Sequence, residues 1–132
     1  MKSEKILILL NHEPDEYQIH DIENKLNIKQ IVFPDETIKK IWSSIPSNSE
    51  KISIYLEPVK KWILSNSAIK DLVWIQGESG ALFNIVSFCL NNKRVPVYSV
   101  TERHLEKEEK KNKSTKTTRI FKHVRFRRYE NS

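Results

Sequence analysis

The sequence predicts an α/β domain: a Rossmann-like parallel sheet flanked by helices, extended at its C-terminal end by an antiparallel β-hairpin. Three observations carry this. Short runs rich in strand formers, at residues 5–10, 30–33, 72–75 and 95–100, alternate with longer segments whose apolar residues recur at helical spacing. Strand and helix in alternation build parallel strand pairs through right-handed crossovers. Beyond Val100 the pattern changes to two strand-like stretches around a lysine-rich tip at residues 106–116, which reads as a hairpin arm with a mobile loop. The expected organisation is a single domain over residues 1–132, with an α/β core at 1–100 and a basic arm and tail at 101–132.

Residues 5–10 form the first strand, with Asn11 and His12 at its carboxyl end. Glu13-Pro14-Asp15 breaks that strand, and Asp15 suits the N-cap of a helix with an apolar stripe of Tyr17, Ile19, Ile22 and Leu26. A second strand at 30–33 closes at Pro34; Asp35-Glu36-Thr37 then opens a short helix presenting Ile38, Ile41, Trp42 and Ile45. A further helix over 53–66 offers Leu56, Val59, Trp62 and Ile63, with Pro58 in its first turns. The apolar run 72–75 stops abruptly at Gln76-Gly77, and a helix follows over 79–91 with Leu82, Ile85, Val86 and Cys89 toward the sheet. Spacing assigns Trp42, Trp62 and Trp74 to the core and leaves His20 and His104 in solvent.

Composition limits the partners. Of 132 residues 38% are hydrophobic, enough for a core, and no apolar stretch nears the length of a membrane span, so no membrane partner is expected. The apolar run near the start lacks signal-peptide architecture after it, which points to a cytoplasmic protein. Cys89, alone of its kind and set among Ile85, Val86, Phe88 and Leu90, reads as a buried thiol; it excludes an intrachain disulfide and argues against structural zinc. The charge is unevenly spread. Residues 1–92 hold 10 lysines, no arginine and 12 acidic residues, net −2, whereas residues 93–132 hold 13 basic and 5 acidic residues, net +8, including all six arginines. Arginine's planar fork suits phosphate and base recognition, so the C-terminal third points to a nucleotide-like polyanion.

Ligands of open α/β sheets bind beyond the carboxyl ends of the strands, where Asn11-His12, Gln76-Gly77-Glu78 and Thr101-Glu102-Arg103 converge. In the loop after residue 75, Gly77 allows a tight turn, Ser79 is a suitable N-cap and Gly80 lets a ligand approach the first helical turn, whose free N–H groups favour an anion. The same pentapeptide suits an ordinary βα turn, and it lacks the spacing of a dinucleotide fingerprint or a Walker loop. Glu78 serves there as a helix-start anion or as a general base, and His12 as a pocket group or a histidine held by loop backbone. Along residues 119–129, simple alternation puts Arg119, Phe121, His123, Arg125, Arg127 and Tyr129 on one face, and Ile120, Lys122, Val124, Phe126 and Arg128 on the other. The first face combines phosphate donors with rings on which bases stack; the alternative is a solvated edge strand protected by charge.

Leu9-Leu10-Asn11-His12 followed by the helix through Gln18, Ile41-Trp-Ser-Ser-Ile-Pro46, Trp74-Ile-Gln-Gly-Glu-Ser-Gly80, Pro96-Val-Tyr98 with Thr101, and Phe121-Lys-His-Val-Arg-Phe-Arg-Arg-Tyr129 span nearly the whole chain. In order and spacing this set resembles the small stand-alone ring nucleases of type III CRISPR defence, related to the CRISPR-associated Rossmann fold (CARF). Asp15 stands where that family usually has threonine, and Glu78-Ser79 where aspartate and a larger residue are usual. The resemblance implies a two-fold homodimer that degrades a cyclic oligoadenylate messenger, with cyclic tetra-adenylate the expected ring, without metal or cofactor. A ribose 2′-hydroxyl would attack its neighbouring phosphate, leaving a linear product with a 2′,3′-cyclic phosphate. Arg125 and Lys122 would then stabilise the phosphate, and His12 or His123 would transfer the proton. Asn11, Gln76, Gly77, Glu78, Ser79, Gly80, Thr101, Arg103, Phe121 and Arg127 would hold adenosine and phosphate. A non-catalytic binder of the same messenger, or a general nucleic-acid module, are the other readings; the first two expect no stable complex with long nucleic acid.

Overall fold

The computed structural model describes residues 4–109 and 115–132, with backbone alone for 106–109 and 115–119. Nine elements follow one another among the described residues: β1 (Lys5–Leu9), α1 (Glu16–Asn24), β2 (Gln30–Val32), α2 (Glu36–Ser43), α3 (Glu57–Asn66), β3 (Leu72–Ile75), α4 (Ser79–Asn91), β4 (Val95–Glu109) and β5 (Thr115–Arg128). They form a mixed five-stranded sheet in the order β2-β1-β3-β4-β5, flanked by helices. The β1–β2, β1–β3 and β3–β4 pairs are parallel, and β5 returns antiparallel along β4.

The strand period of two divides the core between the two faces. Leu7, Leu9, Val73 and Ile75 point to one side, where Ile38 and Trp42 of α2, Val59 and Ile63 of α3, and Ala81, Ile85 and Cys89 of α4 cover them. Ile6, Ile8, Leu72, Trp74 and Val97 point to the other, against Ile22 of α1, Ile28 and Phe126 of β5. Trp74 meets Phe126 edge to face, with centroids 4.8 Å apart. The chain therefore leaves β1 toward one face and β3 toward the other. Since β1 and β3 are neighbours, their carboxyl ends form the kind of switch point at which open α/β sheets bind ligands.

Local chemistry explains most element boundaries. Asp15 accepts from the Gln18 N–H at 2.9 Å while the Gln18 side chain accepts from the Asp15 N–H, a reciprocal cap that starts α1. Asp35 caps α2 one way only, accepting from the Ile38 N–H. The helix expected from residue 53 begins only at Glu57: residues 53–56 form turns, and Pro58, lacking an N–H, occupies the first helical turn. The stripe expected on α1 is also corrected. Tyr17 is exposed, while the polar Gln18 and Asp21 are buried beside Ile22.

The hairpin arm forms as expected, and its pairing runs to Glu109 opposite Thr115. What remains of the predicted tip, residues 110–114, lies outside the described residues. The last β3–β4 pair is Trp74 with Val97, so β4 outruns its inner neighbour from Tyr98 to Glu109, roughly 40 Å of extended chain.

Candidate functional site

One irregularity at the base of the arm decides what faces what. Val100 lies opposite Arg125 and Thr101 opposite His123, which leaves Val124 as an extra residue in β5. Opposed residues share a face and successive ones alternate, so Arg125 and His123 part company. Lys122, opposite Glu102, joins the face of Val100, Arg125 and Arg127. This corrects the simple alternation, which put His123 with Arg125 and Lys122 across from it. The bulge instead gathers Lys122, Arg125 and Arg127 on the side of the sheet to which the Gln76–Gly80 loop and α4 depart. Thr101, Arg103, Phe121 and His123 face the α1 side. There the Arg103 guanidinium lies 5.5 Å from the exposed Phe121 ring. The Arg119 side chain lies outside the described residues.

His123 does not reach solvent as a ligand-facing group. Its side chain is 3% exposed, and its Nε2 lies 2.7 Å from the Asp21 carboxylate of α1. Its Nδ1 lies 2.5 Å from Ser99 Oγ, which also accepts from Gln18 Nε2 at 3.2 Å. A proton on Nε2 fits these contacts: Nε2–H donates to Asp21, and Nδ1 pairs with the Ser99 hydroxyl. Asp, His and Ser in this order resemble a nucleophile triad, but with Ser99 and Asp21 both buried the arrangement works as a tie between α1, β4 and β5. Gln76 extends the tie to β3: its Oε1 accepts from Trp74 Nε1 at 2.7 Å and from the Ser99 N–H at 3.0 Å. Sequence reasoning places Gln18 only within a matching stretch and assigns no role to Asp21 or Ser99. Their one signal was Ser99, a polar residue at the inward position after Val95 and Val97.

The start of α4 differs from the open anion site expected there. Glu78, not Ser79, is the N-cap, and its carboxylate accepts from the Gly80 N–H at 2.7 Å and the Ala81 N–H at 3.3 Å. A built-in carboxylate thus holds the donors that an external phosphate would use. Neither glycine takes a positive φ. Gly77 is required for space instead: a Cβ there would meet Trp42 Nε1 at 2.8 Å, where the indole donates to the Gln76 carbonyl at 3.0 Å.

On the rim, Asn11 and His12 are exposed, and the His12 Nδ1 lies 3.1 Å from the Glu13 carbonyl. Donation from Nδ1–H to that carbonyl leaves Nε2 as the basic nitrogen. Arg125 contributes one weak bond, Nε to the Phe126 carbonyl at 3.4 Å, and Arg127 donates to the Tyr98 hydroxyl at 3.2 Å. Arg94 belongs elsewhere. Its guanidinium is tied to Ser67 and Asn92 at the amino end of β4, so it braces the fold. Burial pushes the Cys89 thiol up to about 12, consistent with an inert core residue. Tyr129 is also raised to about 12, first by burial and then by Tyr98, and its hydroxyl donates to the Ile75 carbonyl at 2.7 Å. Among the described residues no three His, Cys, Asp or Glu side chains gather into a set that could hold a metal ion. No helix among them is long and apolar enough to cross a membrane.

Residues 4–127 match the family described as uncharacterized protein MJ1673. The chain belongs to the MJ1673 family. It is 33% identical over 125 residues to uncharacterized protein MJ1673 of Methanocaldococcus jannaschii, covering 95% of this chain and 96% of that protein. No solved structure matches it. The match to the MJ1673 family takes in Asn11 and His12 on the rim, the Asp21–His123–Ser99 tie, and Lys122, Arg125 and Arg127 of β5.

Proposed function

We propose that this MJ1673 family protein binds and opens a cyclic oligoadenylate, cyclic tetra-adenylate being the first substrate to try. The observation that carries the reading is the bulge at Val124. It sets Lys122, Arg125 and Arg127 on one face of the arm, on the side to which the loop after β3 departs. Three cations at the carboxyl edge of a parallel sheet, beside a ligand crevice, suit a compact polyanion. The chemistry is attack of the substrate's own ribose 2′-hydroxyl on the adjacent phosphate, with departure of the 5′-oxygen. Lys122 and Arg125 stabilise the charge on the phosphate, and His12, whose Nε2 is the basic nitrogen, accepts the 2′-hydroxyl proton, while the departing 5′-oxygen takes up a proton from His12 or from water. His123 is withdrawn from proton transfer because Asp21 and Ser99 occupy both its nitrogens. Two copies related by a two-fold axis would offer matched donors to a ring of identical nucleotides. The resemblance to CRISPR ring nucleases supports this reading.

Incubation of the purified protein with labelled cyclic tetra-adenylate in excess chelator tests it: a linear product ending in a 2′,3′-cyclic phosphate is expected. Retention of the ring uncut over hours would replace the enzyme by a messenger-binding protein. The engagement of His123 and Glu78 in structural bonds favours that second reading, since it removes two candidate acid–base groups. Equal affinity for long linear oligo-A would defeat both.

A further inference from the structure

A cleft of about 300 Å³ opens beside the rim, lined by residues that include Asn11, His12, Pro14, Phe33, Lys39 and Ser43. Resting on the nucleotide reading above, we propose that this cleft is an adenine pocket, with the base stacked on Phe33 and its edge read by Asn11.

Phe33 follows β2 directly and remains 47% exposed although it sits in the cleft wall. With Pro14 it presents an apolar, flat-sided surface, the kind on which a base stacks regardless of sequence. Selection falls to Asn11, whose side-chain amide has no hydrogen-bond partner among the described residues. An amide offers one donor and one acceptor, matching N7 and the N6 amino group of adenine; guanine presents two acceptors at the corresponding edge and leaves the amide oxygen facing an oxygen. Lys39 stands at the cleft, 3.9 Å from Glu13 and 3.7 Å from Glu36, exposed contacts weak enough to give way to a nucleotide phosphate. His12 is shared between cleft and rim, so a base held here brings its ribose toward the proposed proton acceptor. Two or three strand spacings, roughly 10–14 Å, separate β1 from β4 and β5, a span that two linked nucleotides cover. The cleft would thus hold one base while Lys122 and Arg125 hold the phosphate further along.

Adenosine 5′-monophosphate and guanosine 5′-monophosphate, titrated into the full chain with amide NMR detection, probe the pocket independently of turnover. Adenosine monophosphate is expected to shift signals from residues 11–14 and 33–43 and to bind more tightly than the guanosine form. Phe33→Ala should weaken it about tenfold and Phe33→Trp should restore it. No shifts at those residues, or unchanged affinity in Phe33→Ala with native spectra, overturns the pocket. Cleavage of the ring by Phe33→Ala with wild-type constants would sink the pocket and leave the enzyme standing. Adenosine monophosphate seated in the cleft of a protein that leaves the ring intact would do the reverse.

Discussion

Asp21 and His123 are 102 positions apart in the chain, and their side chains meet at 2.7 Å. The contact joins the first helix to the last strand, and it lies where the arm leaves the sheet. Asp21→Ala would strip a buried N–H of its acceptor, so a loss of about 2–4 kcal/mol in urea unfolding is expected. Asp21→Asn keeps an oxygen that can turn toward Nε2 and should lose clearly less. Equal stability of the two variants would show that the contact does not hold the arm.

The two glycines of the chain should respond in opposite directions to alanine. At Gly77 the new methyl group would press on the Trp42 indole at 2.8 Å and disturb its bond to the Gln76 carbonyl, costing about 1–3 kcal/mol. At Gly80 the nearest atom is a Glu78 carboxylate oxygen at 3.4 Å, and alanine is the better helix former by up to about 1 kcal/mol. Gly80→Ala should therefore be neutral or stabilising. Thermal melts of both variants check this, and a damaging Gly80→Ala would mean that the cap is tighter than these distances imply.

Local chemistry made much of this fold legible. The run 72–75 coincides with β3, residues 79–91 with α4, and Asp15 caps α1 as its position predicts. Tertiary contacts hid the rest. A strand of alternating basic and aromatic residues gives no sign of a bulge, because the extra residue is fixed by the partner strand and by what His123 finds on α1. One inserted position was enough to exchange the partners of Lys122 and Arg125 and to draw His123 inward. Glu78 displaced Ser79 as N-cap because its longer side chain folds back to two N–H groups at once.

Alkaline pH should weaken the fold through Cys89. Its folded pKa is raised by burial from 9.0 to about 12, so its contribution is fully present below pH 9 and lost as pH rises toward 12. Across that window the wild type should lose up to about 1.4 kcal/mol per pH unit more than Cys89→Ala does. Parallel unfolding curves at pH 8 and pH 10.5 provide the comparison; identical pH slopes would place the thiol in contact with solvent.

Glu78 should behave as a cap and not as a base. Glu78→Gln retains an oxygen for one of the two N–H groups, and its expected effects are a loss of about 1 kcal/mol and, under the proposed ring cleavage, a near-normal rate. A collapse of turnover across all pH values with an unchanged melting temperature would return the residue to the chemistry.

The bulge makes a directional prediction for the arm. Arg125 and Lys122 share one face of the arm, whereas Arg103 lies on the opposite face against Phe121. If the first two stabilise charge on the phosphate, Arg125→Ala and Lys122→Ala should each lower single-turnover cleavage of cyclic tetra-adenylate about 10²-fold, the usual effect of deleting one preorganised donor. Their melting temperatures should hardly move, because Arg125 makes one long bond to its own backbone neighbour. Arg103→Ala removes the same charge from the same hairpin, so it controls for long-range attraction and should slow cleavage far less. Equal losses in all three variants would reduce the arm to a general cationic field, without the sidedness that the extra residue in β5 imposes.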